Sequence, residues 1–311
     1  MLCKVWLRNV RDSFNNSLHC GPAIALPGFT AHRVKIDMSN SYSHQLFSSP
    51  TIPFSGEAHS CHRFYPCTLP RLEGLDYYGE RHLAGDGGGD FFDFVPIGQQ
   101  ALAASIGDVS GTGISAAILM SGVQSILRGL TADGRGNLST IVQQLNRAVY
   151  EISPDIFFPT LFYARIDPLL RRLQYVSAGH ETALLVRKDA KRLQRLERTG
   201  TVLGLTNHTA YAHRTLTLDA GDVLIAFTDG IAEVVDAKGC QSCEASIIEA
   251  VRSHPGAGAS EVVGLVVDAV ERFTGESGQA DDRTVIAVRY TGRAEKALCE
   301  ENIADAVCAA A

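Results

Sequence analysis

The sequence predicts an α+β protein built in layers, with two antiparallel sheets face to face and helices outside them. Three observations carry this. Short apolar strands come in a group rather than alternating singly with helices, amphipathic helical stretches stand on either side of that group, and Asp167-Pro168 separates two strand-like runs as a hairpin turn. In chain order, Ala101 to Ile106 is an apolar run that meets a turn at Gly107-Asp108. Ile114 to Leu130 places Leu119, Val123, Ile126, Leu127 and Leu130 at helical spacing, which predicts a buried helix. A second helix is expected over Leu138 to Glu151, closed before Pro154. Thr160 to Ile166, Leu173 to Ala178 and Ala183 to Arg187 read as three short strands, and Val223 to Phe227 as a fourth that runs into Thr228-Asp229-Gly230. Ser260 is the expected cap of a helix with Val263, Val266, Val267 and Val270 on one face, and Val285 to Tyr290 is the closing strand.

The ends of the chain differ from this block. Residues 1–70 are rich in Ser, His, Asn and Pro without a sustained period, and are expected to form a poorly structured extension. The ordered domain is expected over 71–292, and 293–311 reads as a short terminal helix or tail. Hydrophobic residues make up 45% and charged residues 20%, which excludes wholesale disorder and a coiled-coil rod. A net charge of -6 argues against a nucleic-acid binder, and no apolar run is expected to reach the roughly 18 residues of a membrane span. Lys4 and Arg8 interrupt what would be the core of a leader, and eight cysteines are too sparse for a disulfide scaffold, so a reduced, cytoplasmic protein is expected.

Four acidic segments share one design, an Asp at a Gly-rich or tight turn beside an apolar strand. They are Gly87-Gly88-Gly89-Asp90-Phe91-Phe92-Asp93, Gly107-Asp108-Val109-Ser110-Gly111-Thr112-Gly113, Thr228-Asp229-Gly230 and Ala280-Asp281-Asp282-Arg283-Thr284. Carboxylates at strand ends, beside glycines that permit close approach, suit a hard divalent cation. Each segment alone has an ordinary reading: Asp-Gly is a common turn, Gly107 to Gly113 lacks the Lys of a phosphate-binding loop, and Asp86, Asp90 and Asp93 do not have calcium-loop spacing. Their shared setting makes the case.

These motifs, in this order over Leu75 to Tyr290, resemble the metal-dependent protein phosphatases (PPM) in their SpoIIE-like branch, which includes serine phosphatases acting on regulators of alternative sigma factors. Gly88 to Asp93 and Gly107 to Gly113 look like the first two motifs, Ser177-Ala178-Gly179-His180 like the mid-domain segment, and Leu203-Gly204-Leu205, Thr228 to Gly230 and Asp281 to Thr284 like the later ones. The resemblance implies an α-β-β-α sandwich of two antiparallel sheets flanked by helices. It also implies a centre of two Mn²⁺ or Mg²⁺ ions held by Asp90, Asp108, the Val109 carbonyl, Asp229 and Asp281, with Asp93 and Asp282 auxiliary. The partner it implies is a phosphorylated regulatory protein of the anti-sigma factor antagonist type; nucleic acid and membrane are not expected, and a homodimer stays open. Gly87, Thr112 and Ser115 depart from common Val, Lys and Pro, and Cys240-Gln241-Ser242-Cys243 replaces a usual Gly- and aromatic-containing turn.

Other residues carry weaker signals. Cys240 and Cys243 form one CxxC without a second pair, and His59, Cys61, His62 and Cys67 fit no closed zinc spacing. His180 can be read as a proton donor to the leaving oxygen or as a structural hydrogen-bonding residue. The implied activity is hydrolysis of phosphoserine or phosphothreonine by a metal-activated water; the alternative is a catalytically weak domain of the same fold that binds a regulatory partner.

Overall fold

The computed structural model describes residues 71–84, 88–111, 113–132, 134, 136–153, 157–189, 192–235, 243–275 and 281–292. All lie in one of the chain's two compact units, Ser60–Ala311. The extension over 1–70, the tail over 293–311, Gly87, Thr112, Cys240 and the His59–Cys67 cluster lie outside the described residues.

Among the described residues, ten strands form two antiparallel five-stranded sheets. The first sheet runs β1 (Leu75–His82), β10 (Arg283–Tyr290), β9 (Val223–Phe227), β6 (Ala183–Val186), β7 (Leu193–Leu196). The second runs β2 (Phe91–Ile97), β3 (Ala101–Gly107), β4 (Leu161–Asp167), β5 (Arg172–Ala178), β8 (Arg214–Thr217). Against the second sheet lie α1 (Ile114–Ala132) and α2 (Leu138–Ile152); a single turn, α3 (Asp229–Ala232), follows β9; α4 (Glu244–Arg252) and α5 (Ala259–Thr274) cover the first sheet. The layers are helix, sheet, sheet, helix, as expected.

Side-chain alternation builds three cores from these layers. Phe92, Phe94, Leu102, Ala104, Ile106, Phe162 and Ala164 meet Leu224, Ala226, Ile286 and Val288 between the sheets. The opposite parity of the second sheet, Phe91, Ala103, Leu161 and Tyr163, packs under Leu119, Val123 and Leu127 of α1 and Leu145 and Val149 of α2. The outer parity of the first sheet, Val223, Ile225, Phe227, Val285 and Ala287, packs under Ile247 of α4 and Val262, Val263 and Val266 of α5. Strand β3 is buried along its whole length because both of its faces are covered.

Two expectations are corrected. Helix α1 is, by length and composition alone, apolar enough to cross a membrane, with a mean hydropathy of 1.3 over 18 residues; here one side of it covers the second sheet while Ile114 and Ile118 stay exposed. Helix α5 begins at Ala259 behind Gly258, so Ser260 is helical rather than the cap. The cap comes from β1: Asp76 Oδ2 accepts the Ala259 N–H at 2.7 Å, beside the positive end of the helix.

Candidate metal centre

The acidic turns converge because the strands that carry them end on one side of the sandwich. In the pairing of β2 with β3, Phe91 faces Gly107; one step further come Asp90 and Asp108. Both share the parity of the inter-sheet residues, Phe92 and Ile106, so both carboxylates enter the gap between the sheets. From the other sheet, Thr228 follows β9 and Thr284 opens the inward parity of β10, and each hydroxyl donates to Asp90 Oδ2 at 2.7 Å. The pair is itself stitched: Thr228 N donates to Thr284 O at 3.0 Å, and Thr284 N to Thr228 Oγ1 at 3.1 Å. Arg81 of β1 closes this end of the gap by donating to the Asp90 carbonyl at 2.7 Å.

Asp282, just before β10, is buried, and its Oδ1 accepts the Ala84 N–H at 2.9 Å. Its Oδ2 is buried with no hydrogen-bond partner. Glycine is required around it. A Cβ on Gly88 would fall 1.5 Å from that oxygen, and one on Gly230 would fall 1.9 Å from the Asp282 carbonyl. The Gly88 and Gly230 positions of two separate motifs are thus explained by one carboxylate and its backbone.

On the Asp108 side, Thr160 donates its hydroxyl to Oδ1, and His180 Nδ1 lies 2.7 Å from the same hydroxyl and 3.5 Å from Asp108 Oδ1. His180 is fully buried, which favours its hydrogen-bonding reading over that of a proton donor to substrate. The Val109 backbone backs onto Gly89, its N–H donating to the Gly89 carbonyl at 3.1 Å. Asp229 is half-buried at the first residue of α3, and Asp281 is exposed with Oδ1 accepting the Asp282 N–H at 2.9 Å. Asp93 lies apart from this group: it has the Phe91 parity, faces the helix layer, and forms a two-pronged pair with Arg128 of α1. Thr160 and Arg128 carried no signal in the sequence; only the register that sets Thr160 beside Asp108 finds the first.

Burial pushes the Asp90 carboxyl well above its ordinary value of 3.8, and Asp108 pushes it further. The Thr228 and Thr284 hydroxyls oppose the shift, and Asp282 adds to it. A carboxyl raised in the folded state binds more protons folded than unfolded, so metal-free stability should fall as pH rises above about 3.8. Asp90→Asn should therefore stabilise the metal-free protein at neutral pH and raise its Tm. Any thermal shift of the parent on adding Mn²⁺ should be lost in the same variant. A metal-free variant melting below the parent would contradict this account of the repulsion.

Among the described residues, no three or more His, Cys, Asp or Glu side chains are gathered tightly enough to enclose a metal ion. The surroundings nevertheless fit a hard divalent cation: an unpartnered buried carboxylate oxygen on Asp282, a cradle that any Cβ on Gly88 would fill, and an all-oxygen donor set of mutually repelling acids.

Comparison with known proteins agrees with this architecture. Residues 98–291 match the family Stage II sporulation protein E (SpoIIE). Protein IcfG of Synechocystis is 28% identical over 251 residues, covering 72% of this chain and 39% of that protein. Phosphoserine phosphatase RsbU of Bacillus subtilis is 28% identical over 221 residues, covering 71% of this chain and 65% of that protein. The chain thus spans less than two thirds of either relative. The crystal structure of the RsbU and RsbW domains of Rv1364c from Mycobacterium tuberculosis superposes with a TM-score of 0.64 at 26% identity, over 75% of this chain and 64% of that one. With the family match covering more than half of its length, the chain belongs to the SpoIIE-related branch of the PPM serine/threonine phosphatases.

Proposed function

We propose that this chain hydrolyses phosphoserine or phosphothreonine on a regulatory protein of the anti-sigma factor antagonist type, in the cytoplasm. Family membership implies divalent-metal dependence in general. Two Mn²⁺ or Mg²⁺ ions would be held by Asp90, Asp108, the Val109 carbonyl, Asp229 and Asp281, with Asp282 as an auxiliary donor. When bound, such cations supply Lewis-acid activation of water and neutralise charge on the phosphoryl group. The protein's own residues prepare that chemistry. Thr228 and Thr284 orient Asp90, Thr160 orients Asp108, and the Ala84 amide fixes one oxygen of Asp282.

The observation that carries the reading is the burial of Asp90 between the carboxylates of Asp108 and Asp282, one of whose oxygens has no protein partner. Like charges so placed cost stability unless a cation joins them. Cys243, the cysteine among the described residues, is not favoured as a nucleophile: its thiol is buried, donates to the Ile231 carbonyl at 3.2 Å, and is pushed up to about 11 by burial.

A phosphate on a protein loop is read by such a centre mainly through its charge, so selectivity must come from surrounding protein contacts. The test is phosphate release from a phosphorylated antagonist and from an unrelated phosphopeptide, with and without Mn²⁺. Metal-dependent release that is faster on the antagonist is expected. Equal rates would overturn the partner, and no release with either Mn²⁺ or Mg²⁺ would favour the partner-binding module instead.

A further inference from the structure

Three neighbouring strands of the second sheet end in residues that touch. Asp108 follows β3, Thr160 precedes β4 and His180 follows β5, and β3, β4 and β5 lie side by side. We infer that His180 and Thr160 form a hydrogen-bond relay across this sheet end that fixes one oxygen of Asp108, making both of them positioning residues for the metal centre. The inference rests on the reading of Asp108 as a metal ligand given above.

The direction of the relay follows from donor counting. Thr160 has one hydroxyl proton, and the carboxylate of Asp108 can only accept, so that proton points to Asp108 Oδ1. The hydroxyl oxygen is then an acceptor toward His180, and Nδ1, at 2.7 Å, carries the proton donated to it. This selects the Nδ1–H tautomer. It leaves Nε2 as the outward nitrogen, which is buried with no hydrogen-bond partner. An imidazole so oriented takes no part in contact with substrate. Its hydrogen bond instead polarises the Thr160 hydroxyl, strengthening the bond to the carboxylate.

The backbone makes the relay rigid at each joint. Thr160 N donates to the Asp108 carbonyl at 2.8 Å, so Thr160 holds that residue by main chain and side chain together. Gly179, with φ +68, turns the chain after β5 to present His180; its N–H donates to the Gly200 carbonyl at 3.0 Å, and a Cβ there would fall 2.5 Å from Val202 Cγ1. Arg198 grips the far side, Nε to the His180 carbonyl at 2.9 Å, and pairs with Glu181 at 3.1 Å. A ligand carboxylate held in one rotamer before the cation arrives loses less freedom on binding it, which is how groups behind a ligand raise metal affinity.

The experiment is Mn²⁺ affinity, measured by calorimetry and by the electron paramagnetic resonance of free Mn²⁺, for the parent and four variants. Thr160→Val keeps the shape of the side chain and removes the hydroxyl; the expected result is a 10–100-fold weaker affinity. Thr160→Ser keeps the hydroxyl and should bind within about threefold of the parent, a rescue that loss of packing would not give. His180→Leu, which removes the N–H donated to Thr160, should also weaken Mn²⁺ affinity and serves if the valine variant fails to fold. Kinetically, the Mn²⁺ concentration needed for half-maximal activity should rise in Thr160→Val while kcat at saturating Mn²⁺ recovers. The control is Asp108→Asn. If it loses Mn²⁺ while folded Thr160→Val binds like the parent, the relay is wrong; if Asp108→Asn itself binds like the parent, the metal-ligand reading beneath it is wrong.

Discussion

Asp108→Asn should lower Mn²⁺-dependent phosphate release by about 10³-fold or more, because a cation's contribution of several kcal/mol at the phosphoryl group depends on its anionic ligands. The substitution is nearly isosteric, and its retained oxygen can still accept from the Thr160 hydroxyl. The backbone bonds at this site, Thr160 N to the Asp108 carbonyl and Val109 N to the Gly89 carbonyl, do not involve the side chain. The variant should therefore fold. What is lost is the charge, and an amide is a poor ligand for a hard cation. Asp229→Asn should behave alike, since α3 is closed by the backbone bond of Glu233 N to the Asp229 carbonyl at 2.7 Å. Phosphate release across a Mn²⁺ titration, alongside thermal melting, measures both. Near-parental turnover with unchanged Mn²⁺ affinity in either variant would remove that residue from the centre.

The elements legible in the sequence were those with unbroken apolar runs or a strong helical stripe. Val223–Phe227 is buried at every position, and α1 carries its apolar residues at regular helical spacing, so both were readable with little error. The edge strands β7 (Leu-Gln-Arg-Leu) and β8 (Arg-Thr-Leu-Thr) are four residues long and mostly polar, because one side of each faces water, and they gave no such signal. Strand β1 alternates only at its start and has Gly79 in its middle, where Phe92 packs too closely for a Cβ. Helix α4 buries only Ile247 and Val251 in nine residues, too few to stand out. The start of α5 is not legible locally, because its cap, Asp76, lies far away in the sequence.

The site divides in the same way. Carboxylates at glycine turns are a local pattern, so Asp90, Asp108, Asp229, Asp281 and Asp282 stand out as candidates one motif at a time. The hydroxyls of Thr160, Thr228 and Thr284 are not local. Their roles depend on the register between strands and on which residues of the two sheets meet, which no single segment encodes. Asp93 shows the reverse case. It stands three residues after Asp90 in one acidic motif, yet odd spacing along a strand sends the two carboxylates to opposite faces.

That parity leads to the largest expected effect on stability. Asp93 is almost wholly buried and its two oxygens are held by Arg128, Nη2 to Oδ1 at 2.8 Å and Nε to Oδ2, while the Phe94 N–H adds a third bond at 2.9 Å. The pair ties the C-terminal part of α1 to β2, in the helix-facing core rather than between the sheets. Arg128→Met preserves much of the aliphatic packing but strands a buried carboxylate. Breaking a buried pair in this way costs about 3–5 kcal/mol, and the half-exposed Arg128 side chain, through which water can reach Asp93, lowers the expectation to about 2–3 kcal/mol. Asp93→Leu combined with Arg128→Met should recover most of that loss, because no charge is then left buried. Denaturant titration of the three variants measures it. Asp93→Asn separates structure from chemistry: it should lower stability and leave Mn²⁺ affinity at the parental value, since its carboxylate faces α1. A tenfold fall in Mn²⁺ affinity in that variant would instead restore Asp93 as an auxiliary ligand and would mean that α1 and the metal centre are coupled through it.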